Sequence, residues 1–317
     1  QNPTRIKDAP DPATLWPDDL SRLPDGTWRY TGGDHVVFYG TGGDDFIHSG
    51  IGDDTIWGGI GGDRIEGDDG NDSLIGGDGD DVITDINGED KIIAGSGHDV
   101  INTGAGGDLV LGGSGGDYVM LVKDDFNDMF AGPGNDIILG GTGFDRVWAG
   151  VGDDWLEGGE GHDLLQGDNA IGFQNDPYGG HDVLIGGPGN NDLDSDGGDD
   201  ILVAGPGLDR AEGMLGFDWV TYKDHVQPVD ADMRFTGLLP PDIGAVRDRF
   251  DLVEGLSGWI GNDVLRGLTK MDDIPATYPD GHELTPAHLD RVDGLRTLLR
   301  PNSTHADYAC RFMLGSL

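Results

Sequence analysis

The chain of 317 residues contains 59 glycines and carries a formal net charge of −41, from 60 acidic and 19 basic side chains. This charge argues against nucleic acids and anionic membranes as partners and favours cations. The single cysteine excludes an internal disulfide, and because no run of about 18 apolar residues occurs, we expect no membrane span.

Composition divides the chain into segments. Residues 1–30 are rich in proline and aspartate and contain Trp16 and Trp28. We interpret them as an extended N-terminal arm that docks through these two side chains. Glycine becomes much rarer after Thr221, which places a boundary there. The segments are therefore the arm 1–30, a glycine-rich segment 31–221, a segment 222–268 and a tail 269–317.

A nine-residue pattern runs through the glycine-rich segment. When the sequence is cut every nine residues from Ser49, the blocks begin SGIGDDTIW, GGIGGDRIE, GDDGNDSLI and GGDGDDVIT, and the sixth position is Asp. The frame slips by one residue near Phe126, and the insertion GDNAIGFQNDPYGG interrupts it after Asp163. Asn191 stands at one sixth position. The sixth-position aspartates are Asp45, Asp54, Asp63, Asp72, Asp81, Asp90, Asp99, Asp108, Asp117, Asp136, Asp145, Asp154, Asp163, Asp182, Asp200, Asp209 and Asp218.

The eighth position of each block is apolar, with Ala211 as the one small exception. Successive side chains of a strand point to opposite faces, so only the middle residue of a three-residue strand points inward. Each block therefore predicts a glycine-rich loop followed by a short strand, and two blocks make one coil of 18 residues. Stacked coils predict an all-β fold, a parallel β-roll solenoid with a thin core of one apolar side chain per block.

Sixth-position aspartates 18 residues apart lie above one another in such a roll, as Asp63 does above Asp81. Carboxylates one strand spacing apart, about 4.8 Å, repel each other unless a cation lies between them. Ca²⁺ fits because it takes about six to eight oxygen ligands, including carbonyls, in flexible geometry. The sequence predicts on the order of eleven Ca²⁺ ions or more, bound by all sixth-position aspartates. We expect weaker or absent ions at Asn191 and near Phe126, where the slip should break the stacking.

The blocks resemble the nonapeptide G-G-x-G-x-D-x-U-x of the repeats-in-toxin (RTX, haemolysin-type) calcium-binding family over roughly residues 31–221. This resemblance implies a parallel β-roll with Ca²⁺ between adjacent loops. It also implies secretion to the exterior or cell surface of a bacterium, and folding triggered by extracellular Ca²⁺.

Residues 222–268 also resemble RTX proteins, whose rolls commonly end in a pair of strands followed by a return to the repeat. The stretch GNDVL at 261–265 would be one more half-coil, and the resemblance makes Asp263 a further Ca²⁺ ligand candidate. We interpret this segment as a cap, because the last strand of a repeat stack needs a cover.

The tail contains an amphipathic pattern at 283–299, which predicts a short C-terminal helix with Thr285 as its N-cap and Pro286 at its first position. This stretch, together with VEGLSGWIGNDVLRG before it, is similar to the repeat regions of bacterial secreted proteins that join a haem peroxidase domain to RTX repeats. That resemblance implies that the chain is a piece of a longer protein.

The first and third side chains of each strand triplet point outward, and the third triplet positions of alternate blocks are Trp57, Ile75, Ile93 and Leu111. Because they are 18 residues apart, they predict a continuous apolar ridge, whereas the other side of the roll shows mostly polar residues. An exposed ridge of this kind generally marks a contact surface. We expect it to be covered by the chain's own tail or arm, by another copy of the chain, or by another extracellular protein.

Two partial matches to catalytic motifs carry little weight. Residues 112–116 satisfy G-x-S-x-G inside a glycine repeat with no partner His, and His282 lacks the second His of a zinc-protease helix. We therefore expect no enzyme, but a secreted structural or interaction module that folds on binding Ca²⁺. Two alternatives are a subunit of a self-assembling extracellular fibre or surface layer, and the accessory repeat region of a secreted haem peroxidase.

Overall fold

The computed structural model describes residues 6–7, 20–24, 27–33, 35–122, 126–168, 179–223, 225–233, 248–259 and 263–267. All regular secondary structure in this part of the chain is β-strand. None of these residues forms a helix that could cross a membrane. The strands build a parallel β-solenoid of about 18 residues per coil, which confirms the predicted roll. The predicted helix at 283–299 lies outside the described residues, as does Trp16.

The chain divides into two compact units, Gln1–Gly150 and Val151–Leu317. The strands of the first unit are β1 (Ile6–Lys7), β2 (Leu20–Arg22), β3 (Trp28–Tyr30), β4 (Val36–Tyr39), β5 (Phe46–His48), β6 (Thr55–Ile60), β7 (Arg64–Glu66), β8 (Ser73–Asp78), β9 (Val82–Thr84), β10 (Lys91–Ser96), β11 (Val100–Asn102), β12 (Leu109–Ser114), β13 (Tyr118–Met120), β14 (Phe126–Phe130) and β15 (Ile137–Trp148).

Two parallel sheets make the first unit. One contains β4, β6, β8, β10, β12 and β14, and the other contains β3, β5, β7, β9, β11 and β13. The first residues of β15 pair with β13 and its last residues pair with β14. The arm contributes β1 and β2, which lie antiparallel on β4 and β3.

The core of the first unit consists of the eighth-position side chains, which point inward as predicted. Each has no exposed surface, and the predicted members are Ile47, Ile56, Ile65, Leu74, Ile83, Ile92, Ile101, Val110, Val119, Ile138 and Val147. Met129, which is not among the predicted residues, is equally buried and pairs in register with Val110. These side chains form two ladders, one in each sheet, and their burial supplies apolar stabilisation of the coils.

Several strands are longer than the three residues that the pattern predicts. β6, β8, β10 and β12 run for six residues because the glycines after the apolar triplet continue the pairing, with Gly59 opposite Gly77 and Gly77 opposite Gly95. Gly77 has a φ of 131°, and a Cβ there would contact the carbonyl oxygen of Gly59. Glycine is required at this point because it tolerates both the positive φ and the close approach of the preceding coil.

The expectation that the slip near Phe126 breaks the stacking is wrong. Met129 of β14 pairs with Val110 of β12, 19 residues earlier, so the extra residue lies between β13 and β14. The Asp117 amide donates to Asp136 Oδ1 at 2.7 Å across the slip. Parallel-strand hydrogen bonds fix the register within the sheet, whereas a surface connection can absorb one more residue.

The strands of the second unit are β16 (Trp155–Gly161), β17 (Leu164–Gln166), β18 (Val183–Ile185), β19 (Asp192–Asp194), β20 (Gly197–Gly198), β21 (Ile201–Val203), β22 (Arg210–Glu212), β23 (Leu215–Gly216), β24 (Trp219–Thr221), β25 (Asp230–Asp232), β26 (Arg249–Asp251), β27 (Gly255–Ser257) and β28 (Val264–Arg266).

The second unit has the same two-sheet plan. One sheet contains β17, β19, β22 and β26, and the other contains β16, β18, β21, β24 and β27. The insertion, of which residues 169–178 lie outside the described part, lengthens one coil, so that Leu165 pairs with Leu193. Buried Phe250 and Leu256 continue the core beyond Thr221, and β25 pairs with β28.

The apolar ridge of the first unit is longer than predicted. The third residues of the strand triplets follow one another in register as Tyr39, Trp57, Ile75, Ile93, Leu111, Phe130 and Trp148. Tyr39 stacks on Trp57 with ring centroids 4.6 Å apart, and Phe130 stacks on Trp148 at 4.5 Å. The four predicted members are each half-buried within this unit. A partner that covers the ridge stays a prediction.

Candidate calcium sites

The sixth-position aspartates form buried columns along the solenoid. Each directly precedes a strand, except Asp145, which lies within β15, so the backbone of each is held in the register of the sheet. In the first unit the Asp63 amide donates to Asp81 Oδ1 at 2.7 Å, and the Asp81 amide donates to Asp99 Oδ1 at 2.8 Å. The other side of the roll repeats this bond between the Asp54 amide and Asp72 Oδ1 at 2.7 Å. The Oδ1 atoms of Asp72, Asp81 and Asp99 are thus fixed by the preceding coil.

The second oxygen, Oδ2, is buried and accepts no hydrogen bond in a large subset of these carboxylates. In the first unit the subset is Asp54, Asp63, Asp72, Asp81, Asp90, Asp99 and Asp117, and in the second unit it is Asp182, Asp200 and Asp218. A buried ionised oxygen without a donor is strongly destabilising unless a cation compensates it.

The space beside each Oδ2 is narrow and lined with oxygen. A Cβ on Gly76 would contact Asp81 Oδ2 and lie 2.6 Å from the carbonyl oxygen of Ala94 in the next coil. A Cβ on Gly58 would likewise contact Asp63 Oδ2 and lie 2.7 Å from the Gly76 carbonyl oxygen. Carboxylate and carbonyl oxygens are the ligands that Ca²⁺ takes in proteins. The residues present therefore fit Ca²⁺, with a carboxylate from one loop and carbonyls from its neighbours.

Burial dominates the electrostatics of these carboxyls. It raises the pKa of Asp54, Asp72 and Asp99 to about 7, from an ordinary value of 3.8, against the lowering effect of the backbone hydrogen bonds. In the second unit, burial and the neighbouring Asp200 carboxyl raise the pKa of Asp182 to about 10. Without a cation, each such site favours a proton over a bare charge.

We expect the ion-free roll to be more stable in acid than at neutral pH. Between pH 4 and 7 the folded chain retains protons on Asp54, Asp72 and Asp99 that the unfolded chain has released, so stability falls as pH rises through this window. Circular dichroism in excess chelator should show more β structure at pH 5 than at pH 7.5. Equal spectra at the two pH values would show that these carboxyls ionise alike in the folded and unfolded chain.

Five further predicted ligands occupy the same buried columns. Asp108 Oδ1 accepts the Asp90 amide at 2.9 Å, and Asp145 Oδ1 accepts the Asn127 side-chain amide at 2.8 Å. The five are Asp108, Asp136, Asp145, Asp154 and Asp163, each at most 3 % exposed.

The three remaining predicted ligands differ from the others in the donors that their carboxylates accept or in their burial. Asp45 Oδ2 accepts the backbone amide of Thr41 at 2.5 Å and its hydroxyl at 2.8 Å. Asp209 Oδ2 accepts the Gly205 amide at 2.9 Å. Asp263 is half-buried, and its Oδ1 accepts the amide of Val229, not of another aspartate, at 3.0 Å. Ion binding at these three positions stays a prediction.

Asn191 continues its column but changes its chemistry. Its Oδ1 accepts the Asp163 amide at 2.9 Å, as an aspartate would. Its Nδ2 donates to the Gly187 carbonyl oxygen at 3.0 Å and lies 2.8 Å from the position of a Cβ on Gly186, where the other sites place Oδ2. A donor in that place lowers the negative charge available to a cation, consistent with the expectation of a weaker site.

Three residues that extend the columns were missed in the sequence. Asn127 Oδ1 accepts the Asp108 amide at 2.9 Å, Asp248 Oδ1 accepts the Asp209 amide at 2.9 Å, and Glu254 Oε2 accepts the Asp218 amide at 3.0 Å. Each stands two residues before an inward apolar side chain, in N-D-M, D-R-F and E-G-L. The signal that could have found them is this spacing, with Asn and Glu admitted beside Asp.

Asp81→Asn should weaken two neighbouring ions, because Asp81 lies between Asp63 and Asp99 in its column. The substitution keeps the Oδ1 acceptor but replaces the Oδ2 oxygen with the amide nitrogen Nδ2, which is a donor and carries no negative charge. Calorimetry should show fewer bound Ca²⁺ ions and a higher midpoint than in the wild type. Asp80→Asn is the matched control, because Asp80 is exposed and its carboxylate accepts the His98 amide. Identical titrations of the two variants would contradict the ligand role of the sixth position.

Comparison with known families agrees with the geometry of the columns. A sequence profile described as RTX calcium-binding nonapeptide repeat (4 copies) matches residues 31–65, 57–84, 86–119, 130–165 and 178–211. No curated protein matches the chain. The matched stretches contain most of the sixth-position aspartates and the inward apolar ladder. Across residues 31–211, the chain therefore belongs to the family of RTX calcium-binding nonapeptide repeats.

Proposed function

We propose that this chain is a secreted, non-enzymatic module that folds when its loops bind Ca²⁺ outside a bacterial cell and then serves as a structural or interaction unit. The observation that carries the proposal is the recurring buried Oδ2 without a hydrogen-bond donor, as in Asp63, Asp81 and Asp99. Secretion is supported by the membership of residues 31–211 in a repeat family typical of secreted bacterial proteins.

Folding and ion binding are expected to be coupled because the carboxylates of adjacent loops can pack together only when a cation lies between them. Columns of buried carboxylates raise the free energy of the ion-free roll, and a ligand that binds only the folded state stabilises it by mass action. Extracellular Ca²⁺ modules bind at about 10⁻⁴–10⁻³ M. The chain would therefore stay unfolded at lower Ca²⁺ and fold where Ca²⁺ reaches this range.

Selectivity between Ca²⁺ and Mg²⁺ tests the proposal. Mg²⁺ demands octahedral geometry at about 2.0–2.1 Å and gives up its waters reluctantly, so the carbonyl-lined loops should not accept it. Small-angle X-ray scattering should show a compact chain in millimolar Ca²⁺ and an expanded chain in millimolar Mg²⁺. Equal compaction by both ions, or expansion in both, would contradict the proposal.

A self-assembling extracellular subunit is the second candidate, favoured by the apolar ridge of the first unit. Its seven side chains form one column, and stacked Tyr39–Trp57 and Phe130–Trp148 pairs stand at its two ends. A continuous apolar surface of this kind marks a protein contact. Bound Ca²⁺ would favour association further, because it offsets the net charge of −41.

Lysine substitutions test this second candidate. Ile75→Lys together with Ile93→Lys should reduce the mass measured by sedimentation in Ca²⁺ while leaving Ca²⁺ binding intact. The control pair is Thr84→Lys with Asn102→Lys, at third positions of the other sheet. A monomeric wild type, or an unchanged assembly in the Ile75/Ile93 variant, would contradict self-assembly through the ridge.

The absence of enzymatic activity and the accessory role in a secreted haem peroxidase both stay predictions. The second depends largely on the tail, and residues 268–317 lie outside the described part of the chain. Sequencing the surrounding gene for a peroxidase domain would test it.

A further inference from the structure

One candidate calcium site of the first unit has a third carboxylate that the neighbouring blocks lack. Asp85 stands at the first position of its block, five residues before Asp90. The first positions of the other blocks from Ser49 to Gly112 are Ser49, Gly58, Gly67, Gly76, Ala94, Thr103 and Gly112. An acid at this position is therefore a departure from the repeat. Whether it can bind a cation depends on where its carboxylate lies in the stacked coils.

The Asp85 carboxylate lies in the space that glycine leaves in the preceding coil. A Cβ on Gly67 would contact Asp85 Oδ1 and lie 2.5 Å from Asp72 Oδ2. Ligand oxygens of Asp72, Asp85 and Asp90 all lie within 4.8 Å of one another. The three carboxylates converge on one point between two successive coils.

None of these oxygens is neutralised by the protein at that point. Asp85 is only 6 % exposed, and neither of its carboxylate oxygens has a hydrogen-bond donor. The Oδ2 atoms of Asp72 and Asp90 also lack donors. Three buried acids aimed at one point are stable as carboxylates only around a cation.

We propose that Asp72, Asp85 and Asp90 form a three-carboxylate Ca²⁺ site that binds more tightly than the two-carboxylate sites of the roll and fills before them. The proposal rests on the proposed Ca²⁺ function of the repeats and names the site within them that differs. Ca²⁺ affinity rises with the number of charged ligands and with the rigidity of the site. Asp85 adds one charge, and the Asp85 amide is fixed by a 2.9 Å bond to the Asn102 carbonyl.

Competition against a fluorescent Ca²⁺ chelator, using the full chain, tests the site. The wild type should show one equivalent that binds about tenfold or more tightly than the remainder. Asp85→Asn keeps the size of the side chain, and Asp85→Gly restores the residue type of Gly67. Both variants should lose the tight equivalent and keep the weaker ones, and both should reach wild-type β content by circular dichroism at saturating Ca²⁺.

Asp69→Asn is the control for charge alone, because Asp69 is exposed and should leave the tight equivalent unchanged. The proposal is overturned if the tight equivalent survives in either Asp85 variant, or if the wild type has a single affinity class. Failure of both variants to fold at saturating Ca²⁺ would also overturn it, since the remaining sites should suffice. A wild type that binds no Ca²⁺ would overturn the proposed function itself.

Discussion

In excess chelator at neutral pH, the chain is expected to lose the β structure of its repeats and to regain it when Ca²⁺ is added. The Oδ2 atoms of Asp54, Asp72 and Asp90 stack along one side of the roll without donors, and this arrangement is destabilising without cations. Each site at a Ca²⁺ concentration about 100-fold above its Kd contributes about 2.7 kcal/mol to stability. Many sites together should therefore decide whether the roll folds.

Circular dichroism and gel filtration should follow this transition together. The spectrum in chelator should be that of a largely unfolded chain with an expanded hydrodynamic radius, and both signals should revert in millimolar Ca²⁺. Mg²⁺ at the same concentration is the control for ionic strength. A native spectrum and a compact radius in excess chelator would show that the carboxylate columns are tolerated without ions.

Leu74→Ala should produce the second large effect, a loss of about 2–5 kcal/mol in the free energy of unfolding at saturating Ca²⁺. Leu74 has no exposed surface and is the only inward side chain of its triplet, so its truncation leaves a cavity between Ile56 and Ile92, its partners in the adjacent strands. The triplet offers no second inward side chain that could collapse into the gap.

Ile75→Ala is the matched control for Leu74→Ala. Ile75 is the next residue of the same strand but points outward into the half-buried ridge, so its truncation should cost much less. Urea unfolding of both variants at the same Ca²⁺ concentration measures the difference. Equal destabilisation would contradict the assignment of inward and outward faces.

The coil and its columns could be predicted from the sequence because two short periods coincide. Because successive strand residues alternate between the two faces, the eighth side chain of each block points inward. Because two blocks of nine residues make one coil, Asp63 lies over Asp81, and no long-range contact has to be known to predict this. The predicted inward residues are buried throughout the described repeats, and the small Ala211 is buried as well.

Other features depend on contacts between coils that the one-dimensional pattern does not encode. Gly77 continues a strand because the preceding coil approaches too closely for a side chain, although glycine alone predicts a loop. Asn127 keeps its column across the slip because sheet register outweighs loop length. The role of Asp85 depends on the empty space over Gly67, which only the stacked structure reveals.

An anomalous difference map from crystals of the Ca²⁺-loaded chain would show directly whether ions lie in the aspartate columns. Rows of peaks are expected along the repeats, each beside the Oδ2 of a sixth-position aspartate, such as those of Asp63, Asp81 and Asp99. Peaks confined to exposed acids such as Asp80, or the absence of peaks beside the buried Oδ2 atoms, would contradict Ca²⁺ binding in these columns.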